Sequence, residues 1–228
     1  MKMRNPFSSL NRFEWLLYCL SALVVVVSGF LGGSNGWMST VASFIGVTAL
    51  IFVAKGDVFG QILTLVFSVF YGIISYSFDY YGEMITYMCM TAPIAAASVV
   101  SWIRHPYKDS NEVEVAKLSK RNTAFMWCLT VAVTVAFYFI LGYFENANLW
   151  VSTFSVTTSF LASYLTFFRS PYYAVAYAAN DIVLIVLWVL ASVTDIKYVS
   201  MVVCFIAFFA NDMYGFYNWK RMQRQQKG

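Results

Sequence analysis

The chain has 228 residues, of which 60% are hydrophobic and 11% are charged. A soluble domain carries about a quarter charged residues, so this composition excludes an ordinary soluble protein and indicates one embedded in a membrane. The net charge is +4.

Eight apolar runs are long enough to cross a bilayer, whose core requires about 20 apolar residues per helix. In chain order they cover residues 13–32, 37–54, 57–78, 83–103, 123–144, 148–168, 171–192 and 198–218. They do not alternate in polarity as the strands of a membrane barrel do. The first run exceeds the hydrophobic length of a signal peptide and no A-x-A-like cleavage site follows it, so it is kept as a helix. The sequence therefore predicts an all-α membrane protein.

The basic residues divide unevenly between the two sides of the predicted helices. If both termini are cytoplasmic, every Lys and Arg except Lys197 falls in an inner segment. Such a bias is typical of membrane protein topology. It accounts for the positive net charge, so we predict no nucleic-acid partner, a lipid bilayer as the surroundings and two cytoplasmic termini.

The chain contains two similar halves. "WMSTVASFIGVTALIFVAKGD" from residue 37 resembles "WVSTFSVTTSFLASYLTFFRSP" from residue 150, and "SWIR" at 101–104 resembles "NWKR" at 218–221. Asp79 and Asp195 fall on equivalent outer loops. A single helix between two three-helix units gives both units the same orientation, and such parallel repeats are typical of transporters whose site lies between them.

This pattern divides the chain into five parts. They are an N-terminal tail with an extra helix (1–36), a first three-helix bundle (37–104), a linker loop with a linker helix (105–146), a second bundle (147–221) and a basic tail (222–228). The loop "RHPYKDSNEVEVAKLSKR" carries mixed charges, which are usually solvated. We therefore expect it to be a solvated cytoplasmic segment.

Uncharged polar and aromatic residues form stripes on the predicted helices. The candidate site residues are Gln61, Thr64, Ser68, Tyr87, Thr91, Tyr177, Asn180, Trp188, Asn211 and Tyr214. Amides both donate and accept hydrogen bonds, and aromatic faces stack on rings. The stripes therefore indicate a neutral or weakly charged solute with hydroxyls, an amide and a flat ring. The alternative is that they only join helices, at about 0.6 kcal/mol per hydrogen bond.

Asp181 and Asp212 complete the candidate set, each beside an Asn. A carboxylate at the centre of a membrane helix costs about 2.5–3.5 kcal/mol and usually faces a cavity or a partner. The apolar runs offer no deep Lys or Arg, which leaves water, neighbouring helices, a protonated carboxyl or a cationic solute. Catalysis has weak support, because His105 is the sole histidine and falls in the linker loop, although an aspartyl dyad stays open. The four cysteines lack metal-ligand spacing, so neither metal nor cofactor is predicted.

The three-plus-one-plus-three arrangement, "AYAAND" and "FFANDMYGFYNW" resemble the PnuC family of bacterial vitamin transporters over residues 37–221. The family has a Trp-x-x-x-Asn motif, in which Asn180 matches the Asn and Ala176 replaces the Trp. The resemblance implies a SWEET-like fold, a homotrimer in the bacterial inner membrane, and uptake of nicotinamide riboside by facilitated diffusion with trapping by cytoplasmic phosphorylation.

The resemblance also assigns roles to the candidate residues. Tyr177 and Trp188 would stack on the pyridinium, and Asn180, Asn211 and Gln61 would hydrogen-bond to the amide and sugar. Asp181 or Asp212 would face the positive ring. Three alternatives stay open: thiamine or riboflavin as cargo, proton-coupled uptake through an aspartate, and an intramembrane enzyme or scaffold.

Overall fold

The computed structural model describes residues 6–31, 36–77, 81–108, 110–146, 148–194, 196 and 199–227. The predicted loop residues Asp79, Asp195 and Lys197 lie outside this part of the chain. The helices are α1 (Arg12–Leu31), α2 (Gly36–Ala54), α3 (Val58–Ser77), α4 (Tyr81–Ile85), a π-helical turn (Thr86–Thr91), α5 (Ala92–Arg104), α6 (Lys120–Tyr143), α7 (Leu149–Phe167), α8 (Tyr173–Thr194) and α9 (Val199–Gln225). Six described segments are long and apolar enough to cross a membrane. The prediction of an all-α membrane protein is confirmed.

The fourth predicted run is not a uniform helix, because it widens into the π-helical turn before α5. The Ala92 N–H bonds to the Tyr87 carbonyl five residues back. Pro93 follows directly, and a proline ring inside a helix removes a donor and displaces the carbonyl four residues earlier. Tyr87 and Thr91 lie within this widened turn, and π-turns often occur at functional sites.

Six helices close into a ring. Around it α2 packs on α3, α3 on α5, α5 on α7, α7 on α8, α8 on α9, and α9 on α2. Outside the ring, α1 packs against α2 and α9, and α6 packs against α7. The ring therefore joins the helices of both predicted bundles around one centre.

Two tryptophans close one end of the ring by the same contact. The Trp219 indole N–H on α9 donates to the Val53 carbonyl on α2 at 2.9 Å, and the Trp102 indole N–H on α5 donates to the Thr166 carbonyl on α7 at 3.0 Å. The two ring centroids lie 5.4 Å apart. Each carbonyl belongs to the last turn of its helix and also accepts the amide of the turn that follows, from Gly56 and Arg169 respectively.

The neighbouring residues repeat the arrangement. Asn218 Nδ2 donates to the Ala54 carbonyl at 2.8 Å, and Ser101 Oγ donates to the Phe167 carbonyl at 3.0 Å. In each case a side chain on the last helix of one predicted bundle donates to a carbonyl at the end of the first helix of the other. The two bundles are thus tied to each other at this end by hydrogen bonds that are buried or partly buried.

The turns that follow α2 and α7 also match. Gly56 and Arg169 both adopt left-handed backbone conformations, with φ of 68° and 55°. The amides of 56 and 57, and likewise of 169 and 170, bond back to the last turn of the preceding helix, which is the Schellman pattern. Glycine suits this conformation best, whereas Arg169 adopts it with a side chain that donates to the Glu114 carbonyl at 3.1 Å.

The linker loop crosses both of these turns. The Val113 N–H donates to the Gly56 carbonyl at 2.9 Å, and the Ala116 N–H donates to the Arg169 carbonyl at 3.0 Å. Gln226, the residue after α9, also bonds to the loop backbone: its Oε1 accepts from the Val115 N–H and its Nε2 donates to the Val113 carbonyl. Val113 is 1% exposed. The prediction of a solvated linker is therefore wrong for this stretch, because the loop's backbone and one apolar side chain fill the end of the ring.

A carboxylate at the start of α1 joins three elements. Glu14 is fully buried and forms a reciprocal cap with Asn11, whose backbone N–H donates to Glu14 Oε2 at 2.7 Å. Lys55 Nζ lies 3.2 Å from the same oxygen, and the Tyr214 hydroxyl donates to Oε1 at 2.6 Å. Because Lys55 follows α2 and Tyr214 lies on α9, this network holds α1 against the ring.

We expect Glu14→Gln to lower the free energy of unfolding by about 1.5–3 kcal/mol, the range for losing a hydrogen bond to a charged group. The amide keeps the size of the side chain but leaves Lys55 without its ion pair. Glu114→Gln is the matched control, since that exposed side chain should change stability by less than about 0.5 kcal/mol. Denaturant titration of the detergent-solubilised protein measures both. Equal effects in the two variants would contradict the assigned role of Glu14.

Candidate functional site

A cavity of about 90 Å³ occupies the centre of the ring. Its wall is formed by α2, α3, α7, α8 and α9 and by the π-helical turn that precedes α5. The lining residues are Gly46, Ala49, Leu50, Val53, Gln61, Thr64, Phe67, Ser68, Tyr87, Thr91, Ser159, Ser163, Tyr177, Asn180, Asp181, Leu184, Phe205, Phe208 and Asp212. This lining combines apolar, aromatic, hydroxyl, amide and carboxyl groups, and it contains no Lys or Arg among the described residues.

Most of the predicted site residues meet in this cavity. They are Gln61, Thr64, Ser68, Tyr87, Thr91, Tyr177, Asn180, Asp181 and Asp212. Sequence reasoning missed the two serines of α7, Ser159 and Ser163, which also line it. Their spacing of four residues places them on one helix face and could have signalled this position.

Three predicted site residues lie elsewhere. Trp188 belongs to the apolar cluster that also contains Phe205 and Val25. Asn211 Nδ2 donates to Ser21 Oγ on α1 at 2.8 Å, and Tyr214 bonds to Glu14. These three residues are not in contact with the central cavity in this structure.

Asn211 and Tyr214 lie outside the cavity because they are on the face of α9 that packs against α1. On α9 the cavity side is occupied by Phe208 and, one turn onward, by Asp212. Asn211 and Tyr214 are rotated toward α1, whose packing position the sequence did not indicate. The expectation that Asn180 and Asn211 converge on one site is therefore corrected: Asn180 is joined by the two aspartates instead.

Asn180 is held by two hydroxyls from α7. Its Oδ1 accepts from Thr158 Oγ1 at 2.8 Å and from Ser155 Oγ at 3.1 Å. These bonds occupy the carbonyl side of the amide, so the NH₂ group, with two donors, is directed to the other side. Because Asn180 lines the cavity, the arrangement presents a fixed hydrogen-bond donor to whatever the cavity holds.

Asp181 and Asp212 come together across the contact between α8 and α9. Their carboxyl groups are within hydrogen-bonding reach of each other. Both residues are 4% exposed, and no amide or hydroxyl donor of the described chain reaches Asp181 Oδ2. Two ionised carboxylates at such close range repel strongly in a medium of low dielectric constant. The pair is therefore stabilised by a shared proton or by a cationic group in the cavity.

Aromatic rings form the wall on the α3 side. The centroids of Tyr71 and Tyr87 lie 4.6 Å apart, and Phe67 lies 5.5 Å from Tyr71. Across the cavity, the Tyr177 hydroxyl lies 3.3 Å from Ser163 Oγ. Tyr87 and Tyr177 thus offer ring faces or edges near the carboxyl pair, and electron-rich rings attract cations.

A second, smaller cavity of about 40 Å³ adjoins the first toward the end where α4 and α7 begin. Tyr87, Ser159, Leu184 and Phe205 line both cavities and so separate them. Glu83 lines the second one and accepts a hydrogen bond of 2.8 Å from the Tyr71 hydroxyl. The two cavities are therefore neighbours that share part of their walls.

No three His, Cys, Asp or Glu side chains of the described residues come together as metal ligands. Cys204 is buried, and Cys19, Cys89 and Cys128 are exposed at separate positions. The functional chemistry of the cavity is therefore that of its carboxyl, amide, hydroxyl and aromatic groups.

Comparisons with known proteins agree on one family. The family model described as "Nicotinamide mononucleotide transporter" matches residues 36–221. The nicotinamide riboside transporter PnuC of Neisseria mucosa is 25% identical over 233 residues, covering 99% of this chain and 87% of that protein. A solved structure, "Crystal structure of the Vitamin B3 transporter PnuC", superposes with a TM-score of 0.81 at 21% identity, over 96% of this chain and 94% of the other. This last likeness shows the fold.

Proposed function

The chain belongs to the nicotinamide mononucleotide transporter family, and on that premise we propose that it carries nicotinamide riboside across the membrane by facilitated diffusion. The observation that carries the proposal is the carboxyl pair of Asp181 and Asp212 beside the fixed amide of Asn180. Membership of a transport family also decides against the intramembrane enzyme and the scaffold.

The charge of the cavity favours the riboside over the mononucleotide. Nicotinamide riboside carries a positive pyridinium, a carboxamide and ribose hydroxyls. The mononucleotide adds a phosphate, which would lie near two buried carboxyl groups with no Lys or Arg in the described lining to pair with it. Burying an unpaired charge is costly, so the lining selects against the phosphate.

Each part of the riboside has a matching group. We assign Asp181 and Asp212 to the pyridinium charge, Tyr87 and Tyr177 to contacts with the ring, and the Asn180 NH₂ to the carboxamide oxygen. Gln61, Thr64, Ser68 and Thr91 on the opposite wall supply donors and acceptors for the sugar. Trp188, Asn211 and Tyr214 then act indirectly, by holding the helices that carry these side chains.

The proposed architecture is a SWEET-like pair of parallel three-helix bundles, 37–104 and 147–221. The helix of the linker 105–146 and the extra helix within 1–36 complete eight membrane spans, and residues 222–228 form a basic tail. The matching indole contacts of Trp102 and Trp219 support this repeat, because each joins equivalent positions of the two halves. The excess of basic residues on one side supports cytoplasmic termini in a bacterial inner membrane. A homotrimer is proposed on family resemblance.

Accumulation would follow from phosphorylation of the riboside in the cytoplasm, since the phosphorylated product no longer fits the cavity. The carboxyl pair also supports a second candidate, in which it carries a proton together with the solute. Proteoliposomes distinguish them: under facilitated diffusion an imposed proton gradient drives no accumulation of the riboside above equilibrium, whereas coupled uptake accumulates it and an ionophore abolishes that accumulation.

Calorimetric titration of the detergent-purified protein with nicotinamide riboside tests the substrate. We expect saturable binding of the riboside and much weaker binding of nicotinamide mononucleotide, because of the phosphate. Thiamine and riboflavin serve as the other ligands. Binding of thiamine or riboflavin in place of the riboside would keep the transporter and change its cargo.

A pair of adjacent threonines tests the role of Asn180. Thr158→Val removes a hydrogen bond that orients its amide, worth about 0.5–1.5 kcal/mol, so riboside affinity should fall by roughly 2- to 12-fold. Thr157→Val is the control, because the Thr157 hydroxyl bonds to Thr134 and to the Thr153 carbonyl instead. The same calorimetric titration applies to both variants. An equal loss in the two would show that the effect comes from α7 packing.

A further inference from the structure

A groove of about 640 Å³ lies outside the helix ring, between the start of α6, the turn before α8 and the end of α9. It does not communicate with the central cavity through any shared lining residue. Its lining residues are Ala116, Lys117, Leu118, Thr123, Met126, Trp127, Leu165, Ser170, Pro171, Tyr172, Lys220 and Gln223. Nothing in the transport proposal uses this groove.

The groove has an apolar floor and a basic rim. Leu118, Met126 and Leu165 form the floor, while Lys117 and Lys220 stand at the rim with no Asp or Glu among the described lining residues. Trp127 and Tyr172 flank it and are 55% and 54% exposed. Aromatic side chains with a polar edge concentrate at membrane interfaces, which places the groove where lipid headgroups meet the protein.

The positive charges converge. The Lys220 amine lies 4.0 Å from the centroid of the Tyr172 ring, directly beside the groove. The amine of Lys227 lies beside that of Lys117, and the neighbouring charge of Lys117, with a smaller contribution from Lys220, lowers the pKa of Lys227. Like charges at close range repel, so an anion among these three amines would be stabilising.

The start of α6 adds to the positive potential. Its first residues are Lys120 and Arg121, and its first turn contains no acidic residue. The N-terminus of a helix already carries a partial positive charge, which acidic groups or anions normally offset. Basic residues at this position make the local electrostatic potential more positive, so an anion bound there would be stabilising.

We propose that this groove binds one anionic phospholipid of the cytoplasmic leaflet, with its phosphate among Lys117, Lys220 and Lys227 and its acyl chains along the apolar floor. Basic pockets between membrane helices on the cytoplasmic side are suited to such headgroups. A soluble phosphate compound would match the rim and leave the floor exposed, so the combination of rim and floor favours a lipid.

Thermal unfolding in detergent with added lipid tests this. At a dioleoylphosphatidylglycerol concentration about 100-fold above its Kd, we expect the Tm to rise by roughly 5–10 °C. Dioleoylphosphatidylcholine, which has the same chains and no net charge, should give a much smaller shift, as should inorganic phosphate. Native mass spectrometry should retain one phosphatidylglycerol per chain.

Substitutions of the three lysines test whether the lipid acts at this groove. In the triple variant Lys117→Gln, Lys220→Gln and Lys227→Gln, the rise in Tm should be the same with the two lipids. The control triple Arg12→Gln, Arg104→Gln and Lys108→Gln removes the same charge from other cytoplasmic positions and should keep it. Lys220→Gln alone serves if the triple variant does not fold. Equal shifts with both lipids, an equal shift with inorganic phosphate, or an equal loss in the control triple would overturn the proposal.

Discussion

The rest of this structure depends on two carboxyl groups that are buried side by side in a membrane protein. Asp181 and Asp212 come from neighbouring helices, are almost fully enclosed and lack a basic partner in the described cavity lining. A carboxylate at this depth costs about 2.5–3.5 kcal/mol even alone. The ring of six helices surrounds them with a cavity lined by hydroxyl, amide and aromatic groups. Because this cavity can hold a proton donor or a cationic solute beside the two carboxyl groups, it makes their burial possible.

The closed end of the ring shows how the two halves are held together. Trp102 and Trp219 each satisfy a carbonyl at the end of the other half's first helix, and the linker loop bonds to the turns beyond both helices. A movement that separates the two halves at this end would break the hydrogen bonds of both tryptophans and those of the linker loop. At the other end, Tyr87 and Phe205 separate two cavities mainly by side-chain packing. The first end is therefore closed by hydrogen bonds between the two halves, and the boundary between the cavities by side-chain packing.

The sequence was sufficient for the helices and for most of the cavity. Apolar length predicts the helical runs, except that the fourth is interrupted by the π-helical turn, and polar residues spaced three or four apart on α3 and α8 predict faces that line the cavity. It failed for Asn211 and Tyr214 because the position of α1 outside the ring depends on the Glu14 network, which joins residues 200 positions apart. It also failed for Val113, since a loop of mixed charge gives no sign that its backbone is needed to satisfy two helix ends.

The central claim is that the carboxyl pair selects a positively charged ring. Nicotinamide riboside and its reduced dihydropyridine form share the sugar and the carboxamide and differ in the charge of the ring. Competition binding of the two forms to the wild type and to the double variant Asp181→Asn, Asp212→Asn therefore isolates the charge. We expect the wild type to prefer the cationic form by about tenfold or more, which corresponds to about 1.4 kcal/mol, and the double variant to lose most of this preference. Equal binding of both forms by the wild type, or an unchanged preference in the variant, would contradict it.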